Sequence, residues 1–380
     1  MTSRERVLCA VEHRPADRMP LDLSVHFSTG ISVFAYYNLR KYLGLSTDNI
    51  EMADCVQMLA RVDEDIRERF HFDTVLLNPP WPKTHKWNPR GKYTFRVPET
   101  FQPELAEDGA WWVHADIGSM SMPEGGYFFD GAWPDFFKMG EDEKMEFFAR
   151  RSEELYKETD KFTLYMGYGA FFGGLDHACQ MLTEPEECIA QQEAALVWQL
   201  DNFTKMNKRM GRYVNAIEVN SDLGMQNGPM CSPAAYEEFC YPYLKRFCKH
   251  VHDTSGIKVF MHSCGSIAEV LPLIIDAGVD IINPVQISAA NMEPASLKEK
   301  FGKDICFWGG GCDTQKVLWS GTPQEVSEHV KEMVSIFKPG GGFVFNQVHN
   351  IMGNVPPENI VAMWDIAYEN SFYESEEVTI

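Results

Sequence analysis

KVFMHSCG, residues 258–265, is an apolar run that ends in His262, Cys264 and Gly265. Such a run reads as a buried strand, with the glycine marking the turn that follows it. Side chains two apart on a strand share a face, so His262 and Cys264 aim at one point beyond the strand's end. Imidazole nitrogen and thiolate sulfur are the usual zinc donors, and an exposed strand end is a natural place for them. The plainer reading is that Cys264 is a packed thiol, since free cysteines are common in cores and H-x-C is a short pattern. The surrounding sequence bears on that choice.

Runs of the same kind recur along the chain: 19–25 (MPLDLSV), 73–78 (DTVLLN), 162–166 (FTLYM), 216–220 (AIEVN), 257–261 (IKVFM), 279–283 (VDIIN), 305–308 (ICFW) and 343–345 (FVF). Helical patterns separate the later ones, over 232–252, 266–277, 292–301 and 323–337. Ser232-Pro233 and Thr322-Pro323 supply helix starts, because proline suits the first helical turn. Eight strands alternating with helices predict an α/β fold, a single (β/α)8 TIM barrel over residues 1–380. Residues 79–151 break the repeat and hold Trp81, Trp87, Trp111, Trp112 and Trp133 among short alternating runs. They read as an aromatic-rich insertion of hairpins after strand 2, roofing the C-terminal face.

In a barrel the residues that follow each strand gather at one rim. His26 and Ser28 follow the first strand and Asn78 the second, while Tyr168, Phe171, Phe172, Asp176 and His177 follow the third. Glu218 lies within the fourth and Asp222 after it. Asn283 and Gln286 follow the sixth, Cys312 and Asp313 the seventh, and Gln347, His349 and Asn350 the eighth. Asp222, His177 and His349 are general acid–base candidates by residue type. Tyr168, Phe171, Phe172, Trp81, Asn283, Gln286 and Gln347 are candidates to bind a substrate, the aromatic ones by stacking.

Composition excludes some partners. A net charge of −21 leaves no basic surface for a phosphate backbone, so no nucleic-acid partner is expected. No run of eighteen apolar residues occurs, and the opening MTSRERVLCAVEHR lacks an apolar leader stretch, so a cytoplasmic protein without a membrane partner is expected. The ten cysteines show no disulfide-like spacing and read as reduced thiols.

Five blocks resemble the uroporphyrinogen decarboxylase-like superfamily, and within it the corrinoid-dependent methyltransferase branch. They are RERVLCAVEHRPADRMPLDL (4–23), SDLGMQNGPMCSPAAYEEFCYPYLKR (221–246), VFMHSCGSIAEVLPLIIDAGVDIINPVQ (259–286), WGGGCDTQKVLWSGTPQEV (308–326) and GGFVFNQVHNIMGNVPPENIVAMW (341–364). The resemblance implies one barrel. Porphyrin-pathway decarboxylases carry an R-Q-A-G-R segment whose guanidinium groups hold substrate carboxylates; here residues 21–30 read LDLSVHFSTG. A polycarboxylate without that clamp would be left with unpaired charge, which disfavours porphyrinogen decarboxylation.

Zinc-dependent methyltransferases of the branch resemble H-x-C plus a distant cysteine near the last strand. His262 and Cys264 match the first part, and His349, within FNQVHNI, stands where that cysteine would be. The resemblance therefore implies Zn2+ held by His262 and Cys264, with His349, Cys312, Glu218 or Asp222 completing the set. Two roles follow: lowering a thiol's pKa for methylation from a corrinoid, or acting as a Lewis acid that helps a methyl ether lose its methyl group. Nitrogen and oxygen ligands and an aromatic cavity favour O-demethylation of a small aromatic methyl ether. No D-x-H-x-x-G corrinoid-binding pattern occurs, so the cobalamin is expected on a separate partner protein. A metal-free decarboxylase or lyase using Asp222, and a non-catalytic scaffold, are the competing readings.

Overall fold

The structure, a computed structural model, describes residues 1–374, so the last six residues of the domain assigned to 1–380 lie outside the described residues. The chain opens with α1 (Ser3–Val11), where Thr2 and Glu5 form a capping box. Next come α2 (Val33–Tyr42), the antiparallel pair β1 (Met52–Asp54) and β2 (Leu59–Ala60), and α3 (Glu64–Phe70). The predicted insertion contains the hairpin β3 (Thr84–Trp87) and β4 (Phe95–Pro98), then the antiparallel sheet β5 (Glu104–Leu105), β6 (Trp111–Ala115), β7 (Gly118–Met122) and β8 (Asp130–Gly131). The helix α4 (Glu141–Glu158) begins inside the insertion and leads back to the barrel.

The remainder alternates strand and helix: β9 (Leu164–Gly169), α5 (Gly174–Thr183), α6 (Pro185–Met210), β10 (Ala216–Asn220), α7 (Pro233–Phe239), α8 (Tyr241–Thr254), β11 (Lys258–His262), α9 (Leu271–Asp276), β12 (Ile281–Asn283), α10 (Pro294–Phe301), β13 (Cys306–Trp308), α11 (Pro323–Phe337), β14 (Phe343–Val344) and α12 (Pro357–Glu369). Ser232 and Thr322 cap α7 and α11, with Pro at the first turn. The helix expected over 232–252 is broken at Cys240, and the one over 266–277 is regular only from Leu271.

β9 to β14 form one parallel sheet in sequential order, as expected of a TIM-barrel-like fold. The first two predicted strands do not become regular strands. Pro20 has no N–H to donate, and Ser24 turns the chain at φ 72°, so 19–25 stays extended only briefly. Each segment still carries the hydrogen bonding across the gap between β14 and β9. Leu21 bridges Phe345 in parallel, the Asp73 N–H donates to Leu21 O at 2.8 Å, and Thr74 bridges Phe162 in parallel.

Period-2 alternation then sorts the strands. Ile217, Val219, Val259, Met261, Ile282, Phe307 and Phe343 pack outward against the helices. Phe162, Leu164, Ala216, Phe260, Ile281, Cys306, Trp308 and Val344 fill the interior, and Val7, Ala10 and Val11 of α1 close its lower end. The Trp308 ring lies 5.6 Å from Phe162 and 5.5 Å from Phe260, centroid to centroid.

Two buried carboxylates hold the irregular segments. Asp73 is completely buried and accepts from Arg6 at 2.6 Å, from Arg18 at 2.8 and 2.9 Å, and from the Leu21 N–H at 2.9 Å. Asp22, also completely buried, accepts from the hydroxyl of Thr74, from Trp308 Nε1–H at 2.8 Å and from the Val25 N–H at 3.1 Å. Burial outweighs these donors and pushes the Asp22 carboxyl up to about 6.

Two outcomes follow. Asp73→Ala leaves two guanidinium groups without their shared buried partner, and should lower the unfolding free energy by about 3–5 kcal/mol in urea titration. The folded Asp22 titrates near 6, against about 3.9 when unfolded, so only the folded state keeps its proton between those values. The associated stability is complete below about pH 4 and lost as pH rises through about 6. Wild-type stability measured against Asp22→Asn should therefore fall by roughly 3 kcal/mol across that window.

Candidate functional site

Above the apolar layer the inward-facing positions turn polar. Glu218 follows Ala216 by two residues, His262 follows Phe260, and Asn283 follows Ile281, so alternation carries all three into the barrel near its C-terminal end. In register, His262 sits between Asn220 on β10 and Asn283 on β12. Cys264 and Asp222 lie just beyond the strand ends, where the Cys264 N–H donates to Asp222 Oδ1 at 2.8 Å.

Among the described residues, His262, Cys264 and His349 bring one donor atom each to within 4.8 Å of one another. His262 Nε2 is 3.6 Å from Cys264 Sγ and 3.6 Å from Asp222 Oδ1. The His262 and His349 rings meet edge to face at 5.8 Å. His349 reaches the cluster because its backbone is left-handed, φ 61°. That conformation is uncommon outside glycine, and Gln347 supports it by donating Nε2–H to His349 O at 2.7 Å.

The electrostatics favour a cation at this cluster. Burial, reinforced by His26, lowers the His262 pKa. Burial, reinforced by His262, lowers that of His349 to about 3. Both rings are thus neutral near pH 7 and hold lone pairs. Burial, with Asp222 beside it, pushes the Cys264 thiol well above its ordinary range, so its thiolate needs a positive neighbour. The spacing fits zinc as well: bond lengths of about 2.0–2.1 Å to nitrogen and 2.3 Å to sulfur at a tetrahedral angle put N and S roughly 3.6 Å apart.

A second buried histidine lies beside the cluster. His26 Nε2 is 2.7 Å from Glu218 Oε1, and its ring is 5.4 Å from His262. Burial tends to raise the Glu218 pKa, but the His26 contact prevails and holds it below its usual value. The sequence reading placed His26 on the rim without giving it a role; its partner, 192 residues away, has no local signal.

His26, Glu218, Asp222, His262 and His349 form the floor of a cavity of about 610 Å³. Its opposite wall comes from the insertion and α4: Trp81, Trp133, Phe136, Phe137 and Phe148. The Trp81 and Phe137 rings are 4.5 Å apart, and Trp81 Nε1–H donates to Met52 O at 2.6 Å. Other insertion aromatics form their own core, where Trp87 packs on Phe101, Trp111 and Phe129. Four carboxylates line the cavity, Asp54, Asp135, Glu218 and Asp222. The lining cation, Lys144, lies 3.1 Å from Asp135.

Several expected residues fall elsewhere. Tyr168 faces the helices, 5.2 Å from Phe247, because β9 is irregular in register between its pairings with Ile217 and Val219, and Gly167 sits at φ 148°. That extra residue reverses the alternation and leaves Met166 and Gly167 on the cavity instead. Phe171, Phe172 and His177 line a separate, open cavity of about 750 Å³ between α5 and α6, where His177 Nε2 is 3.2 Å from Cys188 Sγ. Asn283 and Gln347 are completely buried, bonded within the protein rather than open to a substrate. Gln286 accepts from the Gly265 N–H at 2.8 Å and so shapes the turn after β11. Cys312, completely buried with its Sγ 3.9 Å from Asp313 O, stands outside the donor cluster. All ten cysteines are free thiols.

Comparison with known proteins agrees with this architecture. The uroporphyrinogen decarboxylase family model matches residues 209–370. A uroporphyrinogen decarboxylase of Dichelobacter nodosus (strain VCS1703A) is 26% identical over 137 residues, 36% of this chain and 37% of that protein, so the chain spans little more than a third of that relative. A methyltransferase from Methanosarcina mazei shares the fold, with a TM-score of 0.59 at 16% identity over 97% of this chain and 99% of its own. The second half of the chain thus matches the uroporphyrinogen decarboxylase family model, and the whole chain shares its fold with that methyltransferase. Among the described residues, no helix is long and apolar enough to cross a membrane.

Proposed function

We propose that this protein is a zinc-assisted methyltransferase that moves a methyl group from a small aromatic methyl ether to a corrinoid carried by a separate partner protein. The observation that carries the reading is the His262–Cys264–His349 cluster, two of whose members, His262 and His349, line an aromatic-walled cavity. Three protein donors beside a cavity suit a catalytic zinc site, which keeps one position for water or substrate, better than a closed four-ligand structural one. Carboxylates outnumber the single lysine around the cavity, which opposes a polycarboxylate substrate and hence the decarboxylase reading.

Zinc held by His262, Cys264 and His349 would supply Lewis acidity at the ether oxygen. The protein's own groups would do the rest. Trp81 and Phe137, which line the cavity in contact with each other, would supply apolar surface for a flat donor. In the transfer the methyl carbon–oxygen bond breaks, the methyl group passes to Co(I) of the corrinoid, and the bonding pair remains on oxygen. Asp222, half-exposed beside His262, would relay to that oxygen a proton taken from solvent. His349, neutral with its lone pair in the cluster, serves as a ligand rather than an acid. His177, in the other cavity, has no part in this scheme.

Two measurements test the reading. Purified protein should hold about one zinc per chain, and the His262→Ala/Cys264→Ala double variant should hold none while keeping the far-UV circular dichroism of wild type. Retention of zinc by that variant would remove the site. Mixing enzyme, cob(I)alamin and methoxyarenes should consume the Co(I) absorbance and release the phenol. Methylation of a thiol from methylcob(III)alamin without any ether cleavage would instead identify a thiol methyltransferase. Release of carbon dioxide from a carboxylated substrate, with neither corrinoid nor metal, would identify a decarboxylase.

A further inference from the structure

Asn283 follows Ile281 on the inward face of β12 and is completely buried, so nothing bound in the cavity touches it. Its partners fix the direction of its amide. Nδ2 donates to the backbone oxygen of Trp308 at 2.9 Å, and a carbonyl can only accept. Turning the amide over would set oxygen against oxygen there. Oδ1 therefore faces the other way, where it accepts from the Ser28 hydroxyl at 2.6 Å and lies 3.1 Å from His262 Nδ1.

An amide oxygen has no proton to give, so the proton in this last contact belongs to His262 Nδ1. A neutral imidazole protonated on Nδ1 carries its lone pair on Nε2. That is the atom 3.6 Å from Cys264 Sγ, on the side of the donor cluster. Ser28 extends the arrangement, since its backbone N–H donates to His26 Nδ1 at 3.0 Å, and His26 is held in turn by Glu218. A buried run of contacts thus connects Glu218 to His262 through His26, Ser28 and Asn283.

We infer that Asn283 is a positioning residue that fixes the tautomer and ring angle of His262, making Nε2 its metal-binding atom. The inference rests on the metal reading proposed above, but it also makes a statement about the metal-free protein. Outer partners of this kind typically change metal affinity by about 10–100-fold.

The test pairs two readouts. Long-range proton–nitrogen correlation spectra of protein labelled with 15N-histidine, recorded without metal, should find the His262 proton on Nδ1. Chelator competition should show zinc binding weakened about 10–100-fold in Asn283→Ala. Asn283→Asp should recover most of that loss, because a protonated carboxyl still accepts from Nδ1–H and donates to Trp308 O. A His262 proton found on Nε2, or an Asn283→Ala protein that binds zinc as tightly as wild type, overturns the inference. If wild type binds no zinc, the metal reading falls, and the spectra alone still decide the tautomer. If Asn283→Ala does not fold, the wild-type spectra again decide, and Ser28→Ala should shift the Nδ1 resonance of a folded protein.

Discussion

Parallel hydrogen bonding from β9 to β14 fixes which side chains enter the barrel, and the candidate site depends on that register. The positions two residues above the apolar interior are Glu218, His262 and Asn283. A slip of one residue on β11 would bury Met261 in the barrel and turn His262 toward the helices. The register is held because both faces of each strand are covered, by the interior rings on one side and the helices on the other. Where regular pairing fails, at the first two segments, Asp22 and Asp73 replace it with side-chain contacts across the gap.

A polar layer inside a barrel is costly unless its groups find partners. Here they do so with each other. His26 meets Glu218, Ser28 meets Asn283, and Asn283 meets both His262 and the Trp308 carbonyl. The same contacts that offset burial also restrict the rings in angle and protonation. His349 is the member whose ring has no such partner among the described contacts; its backbone is held instead, by Gln347. Without a protein partner for the neutral ring, its one lone-pair nitrogen is available to an ion.

The cavity joins two regions of different origin. The floor belongs to the barrel strands and the turns after them and carries His262, His349, Glu218 and Asp222, whereas the wall belongs to the insertion and α4 and carries the rings together with Asp135. Within the insertion the aromatics divide in two. Trp87, Trp111, Phe101 and Phe129 pack a small core that holds its hairpins together, while Trp81, Trp133 and Phe137 are left to face the barrel. In superfamilies built on barrels, variation of such loops over a constant floor is the ordinary route to a different substrate.

By itself the sequence determined the alternating strand and helix order from β9 onward, the limits of β10 and α11, and the place of His262 and Cys264 together at one strand end. Those features are local: they follow from period-2 and period-3.6 patterns, from capping residues, and from spacing within a few positions. It also marked His349 as the third donor candidate, through a resemblance rather than through spacing. Only the tertiary structure decided the rest. It separated Tyr168 from the cavity through a one-residue irregularity in β9 that no pattern announces, and sent Phe171, Phe172 and His177 to another groove. It withdrew Asn283, Gln347 and Cys312 into the interior and brought His26 to Glu218. Each of these outcomes depends on contacts between residues far apart in the chain, where burial and hydrogen-bond partners are set by packing and leave no local periodicity to read.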